Sequence, residues 1–156
     1  GSSNGWPETI IGDGYLSTNS TVSDFANWTK IIFGYCDGTL HQGYRKNPIS
    51  YKGEKLYFRG SLITRSHFKW IMNKYPNFKD AEQIIVTGSS AGGIATYLWT
   101  NYVKTLVSAS SSSNVLSIPD SGIFLITKTF ETGIDYLQTA VINMFKLANL
   151  DEKSPL

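Results

Sequence analysis

The stretch Gly88-Ser89-Ser90-Ala91-Gly92 constrains this chain more than any other part of its sequence. It follows the apolar, β-branched run Ile84-Ile85-Val86, which is typical of a strand, and it precedes a segment with helical spacing. A serine at the apex of so sharp a turn must adopt a strained backbone, and glycines two positions before and after it avoid collisions with the neighbouring elements. The pattern predicts a nucleophile elbow, the strand-to-helix turn that presents a reactive serine.

Ser90 is the candidate nucleophile of this elbow, and Gly88 and Gly92 are its flanking glycines. The N–H of Ala91 is expected at the helix N-terminus, where the helix dipole favours negative charge, so it is the candidate oxyanion-hole donor. The helix itself is predicted from apolar residues at three- and four-residue spacing, namely Ile94, Ala95, Leu98, Tyr102, Val103 and Leu106. The alternative is a glycine-rich turn with a structural role only.

Strand-like and helix-like segments alternate along the chain. Residues up to about 28 are polar and predict a loop, followed by a strand at 31–35 that is apolar enough to be buried on both faces. Further strands are predicted at 56–59, 83–87 and 115–118, with a loop over the serine run at 108–113, and helices at 61–75, where Pro76 ends the helix, and at 135–150. The apolar side of the last helix would comprise Tyr136, Leu137, Ala140, Val141, Met144 and Leu147.

This alternation predicts the α/β class, with a parallel sheet and helices on both of its faces. Active sites of such sheets lie at the carboxyl ends of the strands, and three of the predicted strands end at Asp37, Ser90 and Asp120. Asp37, Asp120 and the nearby His41 are therefore candidate cleft residues. Either aspartate could instead cap a turn or a helix, since its carboxylate accepts hydrogen bonds from exposed N–H groups.

Composition excludes several classes of protein. The 156 residues are 41% hydrophobic and carry a net charge of +2, with no basic stripe, so nucleic acid is not an expected partner. No apolar run is long enough to span a membrane, and the first residues do not form a signal peptide. The single cysteine, Cys36, favours a reducing compartment, whereas the glycosylation triplets at Asn19 and Asn27 favour an extracellular one.

Five motifs occur in a fixed order along the chain. They are Asn27-Trp28, Tyr35-Cys36-Asp37-Gly38, Phe58-Arg59-Gly60, Gly88-Ser89-Ser90-Ala91-Gly92-Gly93 and Asp120-Ser121-Gly122-Ile123-Phe124-Leu125. In order and approximate spacing they resemble the pectinacetylesterase family, which includes pectin acetylesterases and the Wnt deacylase Notum, and the resemblance extends from residue 1 to about residue 132. The sequence departs from the family pattern at Ser89 and Ile126, which changes the detail of the pocket and leaves the nucleophile in place.

The resemblance implies an extracellular carboxylic-ester hydrolase of the α/β-hydrolase type that uses a Ser-His-Asp triad and neither a metal nor another cofactor. Ser90 matches the family's nucleophile. The implied substrate is an acylated polysaccharide or another acyl ester. The protein itself is expected to have no membrane span, and its oligomeric state is left open. The alternative is a truncated or degenerate hydrolase-fold protein that binds a ligand at most.

The two histidines, His41 and His67, both precede Ser90. Hydrolases of this fold present their triad in the chain order serine, acid, histidine, so neither histidine stands in the usual place of the base. His67 is expected to be structural and His41 to line the cleft. Residues 1–156 are therefore expected to form part of a single α/β-hydrolase-type domain whose N- and C-terminal portions are missing, with no substantial esterase activity of their own.

Overall fold

The computed structural model describes residues 3–107 and 114–148. The chain forms two compact units, Gly1–Cys36 and Asp37–Leu156. The second unit contains strands β1 (Ile49–Tyr51), β2 (Glu54–Leu56), β3 (Gln83–Ser89) and β4 (Asn114–Asp120) and helices α1 (Gly60–Lys74), α2 (Ala91–Leu106) and α3 (Tyr136–Ala148). Short 3-10 turns lie at Ser3–Gly5, Gly14–Leu16 and Pro76–Asp80. The predicted loop at 108–113 and the last two residues of the predicted helix at 135–150 lie outside the described residues.

The first unit is built from turns that polar side chains hold together, in agreement with the loop predicted up to about residue 28. The Lys30 ammonium donates to the carbonyl oxygens of Phe25 at 2.6 Å and Ala26 at 3.0 Å. The Ser23 hydroxyl donates to the carbonyl oxygen of Tyr15 at 2.7 Å. These bonds satisfy backbone groups that a helix or a sheet would otherwise pair.

The predicted strand at 31–35 is wrong, because this segment has no regular secondary structure. Its first two side chains, Ile31 and Ile32, are 40% and 53% exposed. A strand needs a neighbour that pairs with its N–H and C=O groups. Within the described ranges, the only paired strands are β1 with β2 and β3 with β4, so the apolar run lacks the partner on which a strand assignment depends.

Strands β3 and β4 form the parallel pair that the strand–helix–strand order predicts. Their register runs from Gln83 opposite Asn114 to Ser89 opposite Asp120, so the predicted strands are confirmed and are longer than expected. Parallel strands need a crossover between them, and α2 is that crossover. Leu116 and Ile118 of β4 are 52% and 41% exposed, so this strand is not covered on both faces as a strand in a sheet with helices on both sides would be.

Strands β1 and β2 form a short antiparallel hairpin. The strand predicted at 56–59 is wrong apart from Leu56, the last residue of β2, because residues 57–59 have no regular secondary structure. Lys52 and Gly53 connect the two strands and have positive φ values of 49° and 83°. Two left-handed residues in succession give the turn whose twist matches an antiparallel pair. The Lys-Gly dipeptide was the sequence signal for this hairpin.

Helix α1 confirms the helix predicted at 61–75 to within one residue at each end. It ends at Lys74, where the Tyr75 N–H donates to the Ile71 carbonyl oxygen at 2.7 Å and Pro76 begins a 3-10 turn. The residue before a proline avoids the helical region, which explains this boundary.

Helices α1 and α2 pack through an aromatic cluster. The Phe68 ring lies 6.2 Å from Trp99 and 5.6 Å from Tyr102, and the Trp99 and Tyr102 rings meet edge to face at 5.2 Å. The Arg65 guanidinium lies 4.6 Å from the centre of the Tyr102 ring, a cation–π distance. The cluster sets which side of each helix faces inward.

The buried side of α2 differs from the predicted one. Leu98, expected inside, is 45% exposed, whereas Trp99 is 3% exposed. The buried residues of this helix are Gly93, Ala95, Thr96, Trp99, Thr100 and Val103. Small residues near the start of α2 allow close contact with the strand pair, and Trp99 must reach Phe68, so packing rather than hydrophobicity alone sets the face.

Helix α3 lies where a helix was predicted, but its apolar side is largely exposed, with Val141 42% and Leu147 39% accessible. Its C-terminus is the part that is fixed. The Tyr44 N–H donates to the Ala148 carbonyl oxygen at 2.8 Å. The Arg45 guanidinium donates to the Leu147 and Lys146 carbonyl oxygens at 3.0 and 3.1 Å. These donors satisfy carbonyl groups that a helix end leaves without partners, and the cation matches the negative end of the helix dipole.

None of the helices within the described ranges is both long enough and apolar enough to cross a membrane.

Truncating Ile71 should destabilise the protein far more than truncating Ile63 on the same helix. Ile71 is 2% exposed and Ile63 is 37% exposed. We expect Ile71→Ala to lower the free energy of unfolding by about 2–4 kcal/mol and Ile63→Ala by less than about 1 kcal/mol, since only the first leaves an internal cavity. Urea unfolding followed by circular dichroism measures both values, and equal losses would contradict the packing described here.

Candidate active site

Ser90 lies between the last residue of β3 and the first residue of α2, with φ +54° and ψ −111°. This left-handed conformation costs a non-glycine residue on the order of 1–3 kcal/mol, so its surroundings must maintain it. The Ser90 N–H donates to the Asp120 carbonyl oxygen at 3.0 Å, and the Ser90 carbonyl oxygen accepts from the Ile94 N–H at 3.1 Å. The residue is exposed. The predicted strand-to-helix turn is therefore present, with Ser90 at its apex.

Glycine at position 88 is required by space. A Cβ atom there would lie 2.7 Å from the carbonyl carbon and oxygen of Gly92 and 2.9 Å from its Cα. These are backbone atoms of the first turn of α2, which cannot move without moving the helix. Gly88 therefore sets how closely the end of β3 approaches α2.

Gly92 behaves differently from the prediction, because a Cβ atom at this position would meet no described atom within 4 Å. The second steric requirement falls on Gly93, whose Cβ would lie 2.5 Å from the Asp120 carbonyl oxygen and 2.7 Å from the Gly122 Cα. A Cβ on Gly122 would in turn lie 2.9 Å from the Gly93 carbonyl carbon. The sequence signals for this second contact were the double glycine after Ala91 and the glycine two residues after Asp120.

Ala91 is the first residue of α2, so its N–H has no carbonyl partner within the helix. The first turn of α2 contains no acidic side chain that would neutralise the positive end of the helix dipole. An N–H group next to a serine hydroxyl and at the positive end of a helix can donate to a negatively charged oxygen.

Asp120 is the last residue of β4 and pairs in register with Ser89. Besides accepting from the Ser90 N–H through its carbonyl oxygen, it accepts at Oδ1 from the Ser121 hydroxyl at 3.1 Å. Ser121 also has a positive φ, 48°. Two strand ends with left-handed residues thus meet at one edge of the strand pair, and the structure brings Asp120 next to Ser90 through the backbone.

Asp37 is 6% exposed, and its carboxylate is surrounded by donors. Oδ1 accepts from the Thr39 N–H at 3.1 Å, and Oδ2 accepts from the Thr39 hydroxyl and from the Gly60 N–H at 2.5 Å. A Cβ on Gly43 would lie 2.6 Å from Oδ2. Gly60 is the first residue of α1, so the Asp37 carboxylate caps that helix from a distant part of the chain.

His41 lies in the same loop as Asp37, with a φ of +61°, and its carbonyl oxygen accepts from the Trp99 indole N–H at 3.3 Å. Burial lowers the pKa of His41, an effect that the charge of Asp37 opposes and that of His67 reinforces. Burial also lowers the pKa of His67, on α1. Burial therefore favours the neutral form of both imidazoles. The structure places His41 and Asp37 side by side at the start of α1, since a Cβ on Gly60 would lie 2.4 Å from Asp37 Oδ2 and 2.7 Å from the His41 Cα.

An open groove with a volume of about 410 Å³ lies beside the start of α1. Lys46, Arg59, Leu62, Ile63, Ser66 and His67 line it. Arg59 is held in place, since its guanidinium donates to the Lys46 carbonyl oxygen at 2.5 Å and stacks 4.8 Å from the Tyr57 ring. Residues 3–107 and 114–148 contain no group of three or more His, Cys, Asp or Glu side chains that could hold a metal ion.

Comparison with known proteins gives a family match over residues 1–155, to the family described as PAE: Pectinacetylesterase. Pectin acetylesterase 5 of Arabidopsis thaliana is 32% identical over 126 residues, which cover 80% of this chain and 28% of that protein. Pectin acetylesterase 7 of the same plant is 34% identical over 122 residues, covering 77% of this chain and 29% of that protein. Palmitoleoyl-protein carboxylesterase notum2 of Xenopus laevis is 30% identical over 127 residues, covering 80% of this chain and 25% of that protein.

Among solved structures, the Wnt deacylase Notum from Drosophila superposes with a TM-score of 0.79 at 24% sequence identity. The match covers 94% of this chain and 43% of that one. This likeness confirms the predicted α/β-hydrolase-like fold in incomplete form. The chain spans less than a third of the length of the pectin acetylesterases it matches.

Replacing Gly92 or Gly93, two neighbouring glycines of α2, by alanine should affect the stability of the protein differently. We expect Gly93→Ala to destabilise the protein by about 2 kcal/mol or more, because its Cβ meets the backbone of Asp120 and Gly122. Gly92→Ala should be neutral or stabilise by up to about 1 kcal/mol, since alanine favours the helix and has room. Thermal unfolding compares the two variants, and a tolerated Gly93→Ala would contradict the close approach of α2 to β4.

Acidification from pH 7 to about 5.5 should lower the free energy of unfolding, because only histidines titrate in that window. The two histidines have lowered pKa values in the folded protein, so the unfolded chain binds protons first as the pH falls below about 6.5. The stability contributed by the neutral imidazoles is present above that pH and is lost below it. His41→Asn keeps a residue that tolerates positive φ and should flatten the pH dependence measured by urea unfolding. Constant stability of the unmodified protein across this range would contradict the burial of the histidines.

Proposed function

The chain belongs to the pectinacetylesterase family, and from this premise we propose that it carries the nucleophile of a serine hydrolase that cleaves carboxylic acyl esters. The observation that carries the proposal is the conformation of Ser90, an exposed serine with φ +54° at the N-terminus of α2. A structural glycine-rich turn would have no need for a serine in a strained conformation at its apex.

In the proposed mechanism the Ser90 hydroxyl oxygen attacks the ester carbonyl carbon while a general base takes its proton. The carbonyl oxygen becomes negatively charged, and the Ala91 N–H donates to it. The intermediate then collapses, the alcohol leaves with a proton, and the acyl group stays on Ser90. A water molecule attacks this acyl-serine, releases the carboxylic acid and restores the hydroxyl.

The base in this mechanism is not assigned to a histidine of the 156 residues. Both histidines precede Ser90, whereas the base follows the nucleophile in hydrolases of this fold. We propose that His41 and Asp120 line the cleft and that Asp37, whose buried carboxylate caps α1, supports the loop that carries His41. We also propose that the 156-residue chain alone has little esterase activity. Without a base, only substrate binding and the oxyanion donor would accelerate the reaction.

The substrate class in this proposal is an acylated polysaccharide or another extracellular acyl ester. The names of the relatives support it, because the plant proteins are called pectin acetylesterases and the Xenopus protein a palmitoleoyl-protein carboxylesterase. Both names describe the removal of an acyl group from an ester. An extracellular location is part of the proposal, and neither a metal nor another cofactor is required for this chemistry.

Ser90→Ala should abolish acyl release by the full-length gene product while leaving its fold intact. The change deletes the covalent route, so we expect kcat to fall about 10³-fold or more. Alanine meets the same φ penalty as serine, so the unfolding temperature should change little. Ser89→Ala, at the exposed neighbouring serine, is the matched control and should retain activity. Hydrolysis of p-nitrophenyl acetate measures both variants, and activity that survives Ser90→Ala would overturn the assignment.

A fluorophosphonate probe separates the esterase from its alternative, a degenerate hydrolase-fold protein that binds a ligand without catalysis. The position of both histidines before Ser90 is the observation that favours this alternative. Phosphonylation requires an activated serine, so mass spectrometry of the full-length gene product should find the probe on the peptide that contains Ser90. An unlabelled protein would favour the non-catalytic alternative.

A further inference from the structure

The side-chain amide of Asn19 is held in one orientation by a turn in the first compact unit. Its Oδ1 accepts two hydrogen bonds from Thr21, one from the N–H at 2.9 Å and one from the hydroxyl at 2.8 Å. Only the amide oxygen can accept a hydrogen bond from the Thr21 N–H, so this bond distinguishes Oδ1 from Nδ2. Since Oδ1 faces the turn, Nδ2 is directed away from it. Asn19 and Thr21 are both exposed, so this nitrogen is accessible.

The backbone around Asn19 is equally well defined. Its N–H donates to the Ser17 hydroxyl at 3.1 Å, and its carbonyl oxygen accepts from the N–H groups of Val22 and Ser23, both at 3.0 Å. Ser17 and Ser23 are buried, at 9% and 6% exposure. Two buried serines thus fix the inner side of the turn, and the Asn19 amide lies on its exposed side.

The second asparagine with the same sequence pattern lacks this arrangement. Asn27 is exposed, and Thr29 follows it two residues later. Among the hydrogen bonds of the described residues, none joins the side chains of Asn27 and Thr29. The residue between them, Trp28, is half-buried and packs edge to face on Phe25 at 5.1 Å. The amide of Asn27 is therefore not oriented by Thr29 in the way that the amide of Asn19 is oriented by Thr21.

We propose that Asn19 is a site of N-linked glycosylation and that Asn27 is not modified. Asn-x-Thr is the acceptor pattern for this modification. The Thr21 hydroxyl, by donating to Oδ1, withdraws electron density from the amide and lowers the affinity of Nδ2 for its own protons. The glycosyl donor is a lipid-linked oligosaccharide diphosphate, and its transferase supplies the base.

The transfer forms a bond between Nδ2 of Asn19 and the anomeric carbon of the oligosaccharide. The bond between that carbon and the diphosphate oxygen breaks, the lipid diphosphate leaves with the electron pair, and Nδ2 loses one proton to the base. No oxidation or reduction takes place. The product carries its glycan on the outer side of the turn, where the described structure leaves room.

This inference rests on the extracellular location proposed above and is independent of the serine mechanism. Placing the chain behind a secretory leader in a eukaryotic host removes the dependence on its natural location. A failure of glycosylation in that experiment counts against the site alone, whereas esterase assays on Ser90 variants test the proposed function alone.

The experiment maps the modified asparagines of the secreted chain by treatment with an N-glycosidase that converts a glycosylated asparagine to aspartate, followed by mass spectrometry of peptides. We expect conversion at Asn19 and none at Asn27. On gels, Asn19→Gln and Thr21→Ala should lose the mobility shift that the glycosidase reverses, whereas Asn27→Gln should keep it. Thr21→Ser preserves the hydroxyl and should also keep it.

An unmodified Asn19 would overturn the inference, whether or not Asn27 is modified. Conversion of both asparagines would overturn the claim that the turn around Asn19 makes it the modified asparagine and leaves Asn27 unmodified. Peptide mapping of the unsubstituted chain gives these results even if a substituted variant is not secreted.

Discussion

The buried carboxylate of Asp37 is the interaction on which the second compact unit depends. It accepts hydrogen bonds from Thr39 within its own loop and from Gly60 at the start of α1. A buried carboxylate is tolerated only when donors surround it, and removal of the carboxylate would leave the Gly60 N–H buried without a partner. The conformation of the loop and the position of α1 are thus determined together.

The same loop reaches the other two helices of the unit. The His41 carbonyl oxygen accepts from Trp99 of α2, and the Tyr44 N–H donates to the last residue of α3. The loop that carries the candidate cleft residues Asp37 and His41 therefore also connects the three helices. A substitution in it would alter the helix that begins at the candidate nucleophile, even without contact with a substrate.

The strain at Ser90 persists because two close backbone contacts leave the turn no alternative. Gly88 lies against the first turn of α2, and Gly93 lies against the end of β4 at Asp120 and Gly122. The hydrogen bond from the Ser90 N–H to the Asp120 carbonyl oxygen further restricts the backbone of the turn. Strain that is stored in this way positions a side chain before any substrate arrives, which lowers the entropy cost of reaction. The contacts that maintain the elbow are therefore part of the proposed catalytic machinery.

The sequence by itself determined the local elements: the β-branched run before Gly88 specified β3, Pro76 ended α1, and the spacing after Ser90 specified α2. These features act over a few residues, so they can be recognised without knowledge of distant contacts. Tertiary structure alone decided that Gly93 rather than Gly92 is the indispensable glycine of α2, that Asp37 caps a helix, and that residues 31–35 form no strand. Each of these depends on atoms far away along the chain: the Asp120 and Gly122 backbone for Gly93, the Gly60 N–H for Asp37, and a pairing partner for the apolar run.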